Sequence, residues 1–100
     1  MVRVQDDVAK SRYVLEVDGE RVGLIDYRLR GDRIALTHAE VDPRHERTGY
    51  GSQLAEFALQ EARRRGLAVL PHCPFVRHYV QVHPEYLDLV PEDARRRFGL

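Results

Sequence analysis

Cysteine, tryptophan, long apolar runs and an excess of either charge are all scarce in this 100-residue chain. The single cysteine, Cys73, cannot form an internal disulfide, and such usage fits a reducing compartment. Sixteen basic residues are balanced by sixteen acidic ones. That balance removes the strongly basic character that nucleic acid and anionic membrane surfaces select. Apolar runs such as Leu67–Leu70 are far shorter than the ~20 residues a membrane helix requires. The N-terminal residues also lack the apolar centre of a signal peptide. The expectation is one cytoplasmic domain, residues 1–100, without nucleic-acid or membrane partners. A domain of this size buries roughly 65% of its unfolded surface, enough for one core.

Against these absences stands a clear order of elements. Tyr13–Val17 is rich in β-forming residues and is followed by Asp18-Gly19, a strong hairpin signal. Val22–Leu29 then reads as a second strand. Arg30-Gly31-Asp32 marks a turn rather than an adhesion motif, and Ile34–Val41 reads as a third strand of an antiparallel meander. Strict alternation along that strand puts Ile34, Leu36, His38 and Glu40 on one face. An apolar start and a polar end on the same face predict a strand that leaves the core and reaches a cleft. Pro43 stops it.

From Gly49 to Arg65 the period becomes helical, with Tyr50, Leu54, Phe57, Ala58 and Ala62 at spacings of three and four. Glu61 and Arg65 form an expected helix pair, and Gly66 is the expected C-terminal cap. Leu67–Leu70 reads as a short strand buried beside a parallel neighbour. Pro74 at the first position of the next helix would make Cys73 its N-cap, and His83-Pro84 ends that helix. Glu85–Val90 reads as an irregular turn, and Pro91–Phe98 as a last basic helix or a frayed end.

Gly49-Tyr50-Gly51 opens the long helix directly after a cation-loaded turn. Small residues there let backbone N–H groups approach an anion, and the helix dipole adds about half a positive charge. Either this is a phosphate cradle or the glycines serve only helix initiation and close packing. Cys73 at a helix N-cap would lie in a field that favours thiolate, as a nucleophile. Alternatively it is a small buried apolar group. His72, His78 and His83 with Cys73 match no metal-ligand spacing, and no metal is expected.

Three segments together resemble one family. Thr37-His38-Ala39-Glu40-Val41, Arg47-Thr48-Gly49-Tyr50-Gly51 leading to Leu54, and Pro71-His72-Cys73-Pro74-Phe75-Val76 with Tyr79 and His83-Pro84-Glu85-Tyr86 resemble the small single-domain GNAT-like N-acetyltransferases. The resemblance runs from about Tyr13 to Val90. It implies an α/β acyl-CoA N-acyltransferase fold, an antiparallel meander followed by a β-α-β-α unit. It also implies acetyl-CoA or CoA as ligand and cosubstrate, and an amine acceptor that the chain does not name. The main chain of Val41 and Asp42 would face the pantetheine arm, and the N–H groups of Gly49, Tyr50, Gly51 and Ser52 the pyrophosphate. The family's phosphate loop usually opens on Gln or Arg, where this chain has Glu46; Arg44, Arg47 or Thr48 would then supply side-chain contacts. Tyr79 would be the acid for the departing thiolate, with His38 and Glu40 relaying the amine's proton. The alternative is a CoA-binding module with little or no catalysis. A monomer or weak homodimer is expected.

Overall fold

The computed structural model describes residues 1–45 and 48–100. Five strands make one sheet in sequential order: β1 Val2–Asp7, β2 Arg12–Val17, β3 Glu20–Arg30, β4 Arg33–Val41 and β5 Ala68–Pro71. The first four are antiparallel and β5 runs parallel to β4. Helix α1, Tyr50–Arg64, makes the crossover between β4 and β5, α2 spans Pro74–Val82 and α3 spans Glu92–Arg95.

The meander expected from sequence therefore has one more strand, β1, at its outer edge. Val-Arg-Val-Gln-Asp-Asp is too short and too polar to announce itself, and pairing with β2 stabilises it. Asp18 and Gly19 both have positive φ, 51° and 84°, the signature of the type I′ turn that matches strand twist. Helix α1 lays Leu54, Ala55, Ala58, Leu59 and Ala62 on the sheet, all buried. They meet Tyr13, Leu15, Ile25, Ile34, Leu36 and Val69 in one apolar core. The helix ends in a Schellman motif, in which Leu67 N–H donates to Ala62 O at 2.8 Å and Gly66 N–H to Arg63 O at 3.2 Å, with Gly66 at φ 69°. A side chain at that φ is strained, so Gly66→Ala is expected to cost about 1 kcal/mol in chemical denaturation.

Some expected details differ. Glu61 pairs with Arg64, three residues on, while Arg63 grips Asp88 with two hydrogen bonds of 2.8 and 2.9 Å and also donates to Glu85 O. One residue of the arginine run, Arg63, thus holds the 3₁₀ turn Pro84–Leu89 against α1. The C-terminal segment is docked, not frayed. Phe98 is buried and meets His72 edge-on at 5.0 Å between ring centres.

Two irregularities in strand pairing shape the site. Between β2 and β3, Leu15 faces Gly23 and Glu16 faces Arg21, leaving Val22 extra. Between β3 and β4, Asp26 faces His38 and Tyr27 faces Leu36, leaving Thr37 extra. Each extra residue reverses the faces that follow it.

Candidate functional site

The β4–β5 pairing is short. It runs from Arg33↔Ala68 to Leu36↔Pro71 and stops, while β4 continues to Val41. Cys73 N–H closes the end of the ladder on Leu36 O at 2.9 Å. From there the chain turns into α2, and the two strands splay. The resulting cleft, about 270 Å³, is lined by Leu24, Ile25, Ala39, Glu40, Val41, Gly49, Gly51, Ser52, Leu54 and Phe75.

Thr37 decides what faces this cleft. Because it is the extra residue, Ala39 and Val41 turn to the side that Ile34 and Leu36 occupy, and both pack against the core. The single-face reading of Ile34, Leu36, His38 and Glu40 is thereby corrected: a strand bulge, invisible in a residue pattern, breaks the period of two. His38 Nε2 lies 2.9 Å from Glu40 Oε1, with both side chains more than half exposed. The His38 hydrogen bond holds the Glu40 carboxyl below its ordinary range, and Arg21 and Arg12 reinforce it. Glu40 borders the cleft, but its carboxylate is engaged with His38.

At the mouth, Gly49 is the N-cap of α1 with φ 80°. The helix's own ladder begins with Gln53 N–H on Gly49 O at 3.1 Å. Tyr50, Gly51 and Ser52 therefore form the first turn, whose N–H groups have no acceptor within the helix. A Cβ on Gly51 would come 2.9 Å from Phe75 Cζ and 3.5 Å from Val41 Cγ2. Glycine at this position keeps the cleft passable. Thr48 donates its hydroxyl to His45 O at 2.5 Å. Arg47, and Glu46 with it, lie outside the described residues.

Asp42 and Arg44 are less available than the sequence suggests. Asp42 N–H donates to Val22 O at 2.7 Å and its carbonyl accepts from His45 N–H at 2.8 Å. Its main chain is thus already used on both sides. Arg44 donates to Asp42 at 2.8 Å and to Glu20 at 3.0 Å. Hydrogen bonds from the Arg44 side chain and backbone push the Asp42 carboxyl down to about 2. A depressed pKa means the pair is intact above the ordinary carboxylate range and is lost as pH falls through about 2. An NMR titration of Asp42 should show that midpoint, and Arg44→Ala should return it toward about 3.9.

On α2, Cys73 is the N-cap and Pro74 takes the first helical turn. Cys73 is 3% exposed within the apolar core, and its carbonyl accepts from Arg77 N–H at 3.0 Å. Tyr79 is 7% exposed and stacks on His83 with ring centres 4.0 Å apart. Burial first, then Glu56, Tyr86 and Glu85, raises its hydroxyl above the ordinary phenol range. A group so placed keeps its proton at neutral pH. The cleft lining thus brings together Glu40, Val41, Gly49, Gly51 and Ser52, while Cys73, Tyr79 and His38 are not among the lining residues. Sequence reasoning did not nominate Phe75, Leu24, Ala39 or Leu54 as site residues. Phe75 carried a usable signal, an aromatic one residue after a helix-starting proline, and 42% of its surface is exposed.

Among the described residues, no group of three or more His, Cys, Asp or Glu side chains is arranged to hold a metal ion. Among the same residues, no helix is long and apolar enough to cross a membrane.

Comparisons with known proteins agree with this geometry. No curated protein matches the chain. A putative GCN5-like N-acetyltransferase from Staphylococcus aureus superposes with a TM-score of 0.69 at 19% identity, covering 89% of this chain and 87% of that one. At that identity it speaks for the fold alone. The ribosomal-protein-S18-alanine N-acetyltransferase of Escherichia coli aligns with a TM-score of 0.56 at 27% identity over 58% of this chain, which spans only 38% of that protein. N-acetylglutamate synthase from Neisseria gonorrhoeae, solved with coenzyme A and N-acetyl-glutamate, gives a TM-score of 0.54 at 21% identity, over 89% of this chain and 22% of its own. A family model described as GCN5-related N-acetyl-transferase matches residues 12–89, from the start of β2 to the turn after α2, and the chain therefore belongs to that family.

Proposed function

We propose that the cleft between β4 and α2 binds acetyl-CoA and that the chain transfers the acetyl group to an amine. The observation that carries this reading is the early end of the β4–β5 ladder at Leu36↔Pro71, which leaves the rest of β4 with an edge that no strand among the described residues covers. A pantetheine arm carries two amides, so it can bond to an open strand edge as a peptide would. The lining residues fit such a guest. Ala39, Val41 and Leu54 offer apolar contact, and Gly51 leaves main chain accessible where a Cβ would crowd Phe75. The N–H groups of Tyr50, Gly51 and Ser52, with the α1 dipole, suit the pyrophosphate. Val41 is the main-chain partner favoured on β4, since that of Asp42 is occupied.

Acetyl-CoA, when bound, supplies an activated thioester carbonyl and a thiolate leaving group. The chain would contribute orientation and a proton donor, for which Tyr79, held neutral by its surroundings, is suited. His38 and Glu40 would accept the proton of an acceptor amine. As a nucleophile, Cys73 would carry the acetyl group between thioester and amine, and unchanged transfer by Cys73→Ser would rule out that role. A specific observation favours the alternative, a CoA-binding module: Cys73, Tyr79 and His38 do not line the cleft.

Two measurements separate the readings. Acetyl-CoA at about 100 times its dissociation constant should add about 2.7 kcal/mol of stability, seen as a higher unfolding temperature. No rise at millimolar cofactor would overturn both readings. Given a rise, thiol release that depends on an added amine supports the transferase, and binding without release supports the module.

A further inference from the structure

At the edge of the sheet opposite the cleft, among the described residues, β1 pairs only with β2 and no strand covers its other edge. We infer that this edge is a self-association surface, on which a second copy of the chain adds its own β1 antiparallel to form a continuous ten-stranded sheet.

The argument starts from which groups β1 presents. Asp18 N–H donates to Met1 O at 3.0 Å, so Met1 and Asp18 form a hydrogen-bonded pair. Bonded and non-bonded pairs alternate along an antiparallel ladder. With the register Val2↔Val17, Arg3↔Glu16 and onward, the main chains of Arg3, Gln5 and Asp7 point to β2. Those of Val2, Val4 and Asp6 point to the open edge. A two-fold axis perpendicular to the sheet at Gln5 then matches Val4 with Asp6 of the other copy, and Asp6 with Val4. Each pair can exchange two main-chain hydrogen bonds.

Side chains choose this register. It sets Arg3 opposite Asp7 of the second copy, twice, in the non-bonded positions where side chains approach most closely. A two-residue shift sets Arg3 against Gln5 instead and loses both attractions. Among the described residues, neither Arg3 nor Asp7 has an ion pair within 4.0 Å, whereas Arg12 is paired with Asp26. The rows across the same sheet face already alternate in sign. One reads Arg3, Glu16, Arg21, and the other Asp7, Arg12, Asp26, His38. Joining two copies continues both rows without a like-charge neighbour, as Asp26, Arg12, Asp7, then Arg3, Glu16, Arg21 of the second copy. Natural edges usually avoid pairing through charge repulsion. This edge is instead self-complementary, and Val2 and Val8 beside it are exposed at 39% and 72%. The clefts sit at the two far ends of the joined sheet and remain open.

Four main-chain bonds and two exposed ion pairs make a weak, salt-sensitive dimer, with a dissociation constant on the order of micromolar to millimolar. Sedimentation equilibrium of the full chain at low salt should show concentration-dependent dimers that dissociate as salt is raised. Arg3→Asp alone sets Asp against Asp across the interface, and Asp7→Arg alone sets Arg against Arg, so each variant should weaken dimerisation at least about tenfold. Mixing the two variants restores both attractions and should give a heterodimer. A chain that stays monomeric at millimolar concentration, or a mixture that does not recover association, overturns the proposal. Dimers indifferent to either substitution place the contact elsewhere and overturn it equally. Circular dichroism of each variant verifies the fold before the comparison.

Discussion

Gly23→Ala is expected to lower the unfolding midpoint by roughly 10–20 °C, the equivalent of about 2–3 kcal/mol for a domain of this size. Gly23 lies in β3 just after the extra residue Val22 and faces Val41 of β4. A Cβ there would meet Leu54 Cδ1 at 2.9 Å and the Glu40 carbonyl oxygen at 3.0 Å. The first contact is with a side chain that can rotate. The second is with main chain inside a sheet, which cannot yield without moving β4. Both neighbours line the cleft, so the variant should lose ligand affinity together with stability. Denaturant titration of Gly23→Ala, Leu54→Ala and the double variant checks the assignment. Removing Leu54 relieves one of the two clashes, so the double variant should be more stable than the sum of the single effects predicts, by about 1 kcal/mol. A single-variant midpoint within a few degrees of the parent would show that β3 and β4 are not so closely apposed.

The second large effect concerns binding, with little change in fold. Gly51→Val should reduce acetyl-CoA affinity at least about tenfold, or 1.4 kcal/mol, and abolish most of the ligand-induced rise in unfolding temperature. Gly51 occupies the first turn of α1 with ordinary helical backbone, where valine is a slightly better helix former than glycine, by about a few tenths of a kcal/mol. Its new side chain has nowhere to go except toward Phe75, whose ring already stands 2.9 Å from the Cβ position. Calorimetric titration should separate this from a folding defect. Gly51→Val combined with Phe75→Ala should recover part of the affinity, because the obstructing ring is gone. Full binding by Gly51→Val would mean that the ligand takes another route.

These two glycines illustrate what could be read without coordinates. Gly51 was legible as a residue that opens α1, because a Gly-x-Gly after a strand marks a helix start. Gly23 was not. It owes its identity to a Leu54 methyl group and a Glu40 carbonyl from distant elements, and no local pattern encodes that meeting. The same holds for the polar residues. Alternation predicted His38 and Glu40 on the face of Leu36, and Thr37, an extra residue in the pairing with β3, reversed them. A bulge is a property of two strands together, so one strand's pattern cannot announce it. Elements with strong local signals were read to within a residue or two: the Asp18-Gly19 turn, α1 with its Gly66 terminus, and Cys73-Pro74 opening α2. Edge strand β1 escaped notice because its pairing with β2, not its composition, makes it a strand.

The place where β5 leaves β4 is framed by Pro71 and Pro74, neither of which has an N–H to give. The two residues between them are equally spent, since His72 N–H donates to Leu70 O at 3.0 Å and Cys73 N–H to Leu36 O at 2.9 Å. The diverging segment has therefore no main-chain donor with which to follow β4 any further. Thermal motion can bring the two strands together, but no N–H along this stretch is free to latch them shut. A guest arriving at the gap has no competing self-structure to peel away, so its association should be a single, concentration-proportional step with no slower opening phase ahead of it.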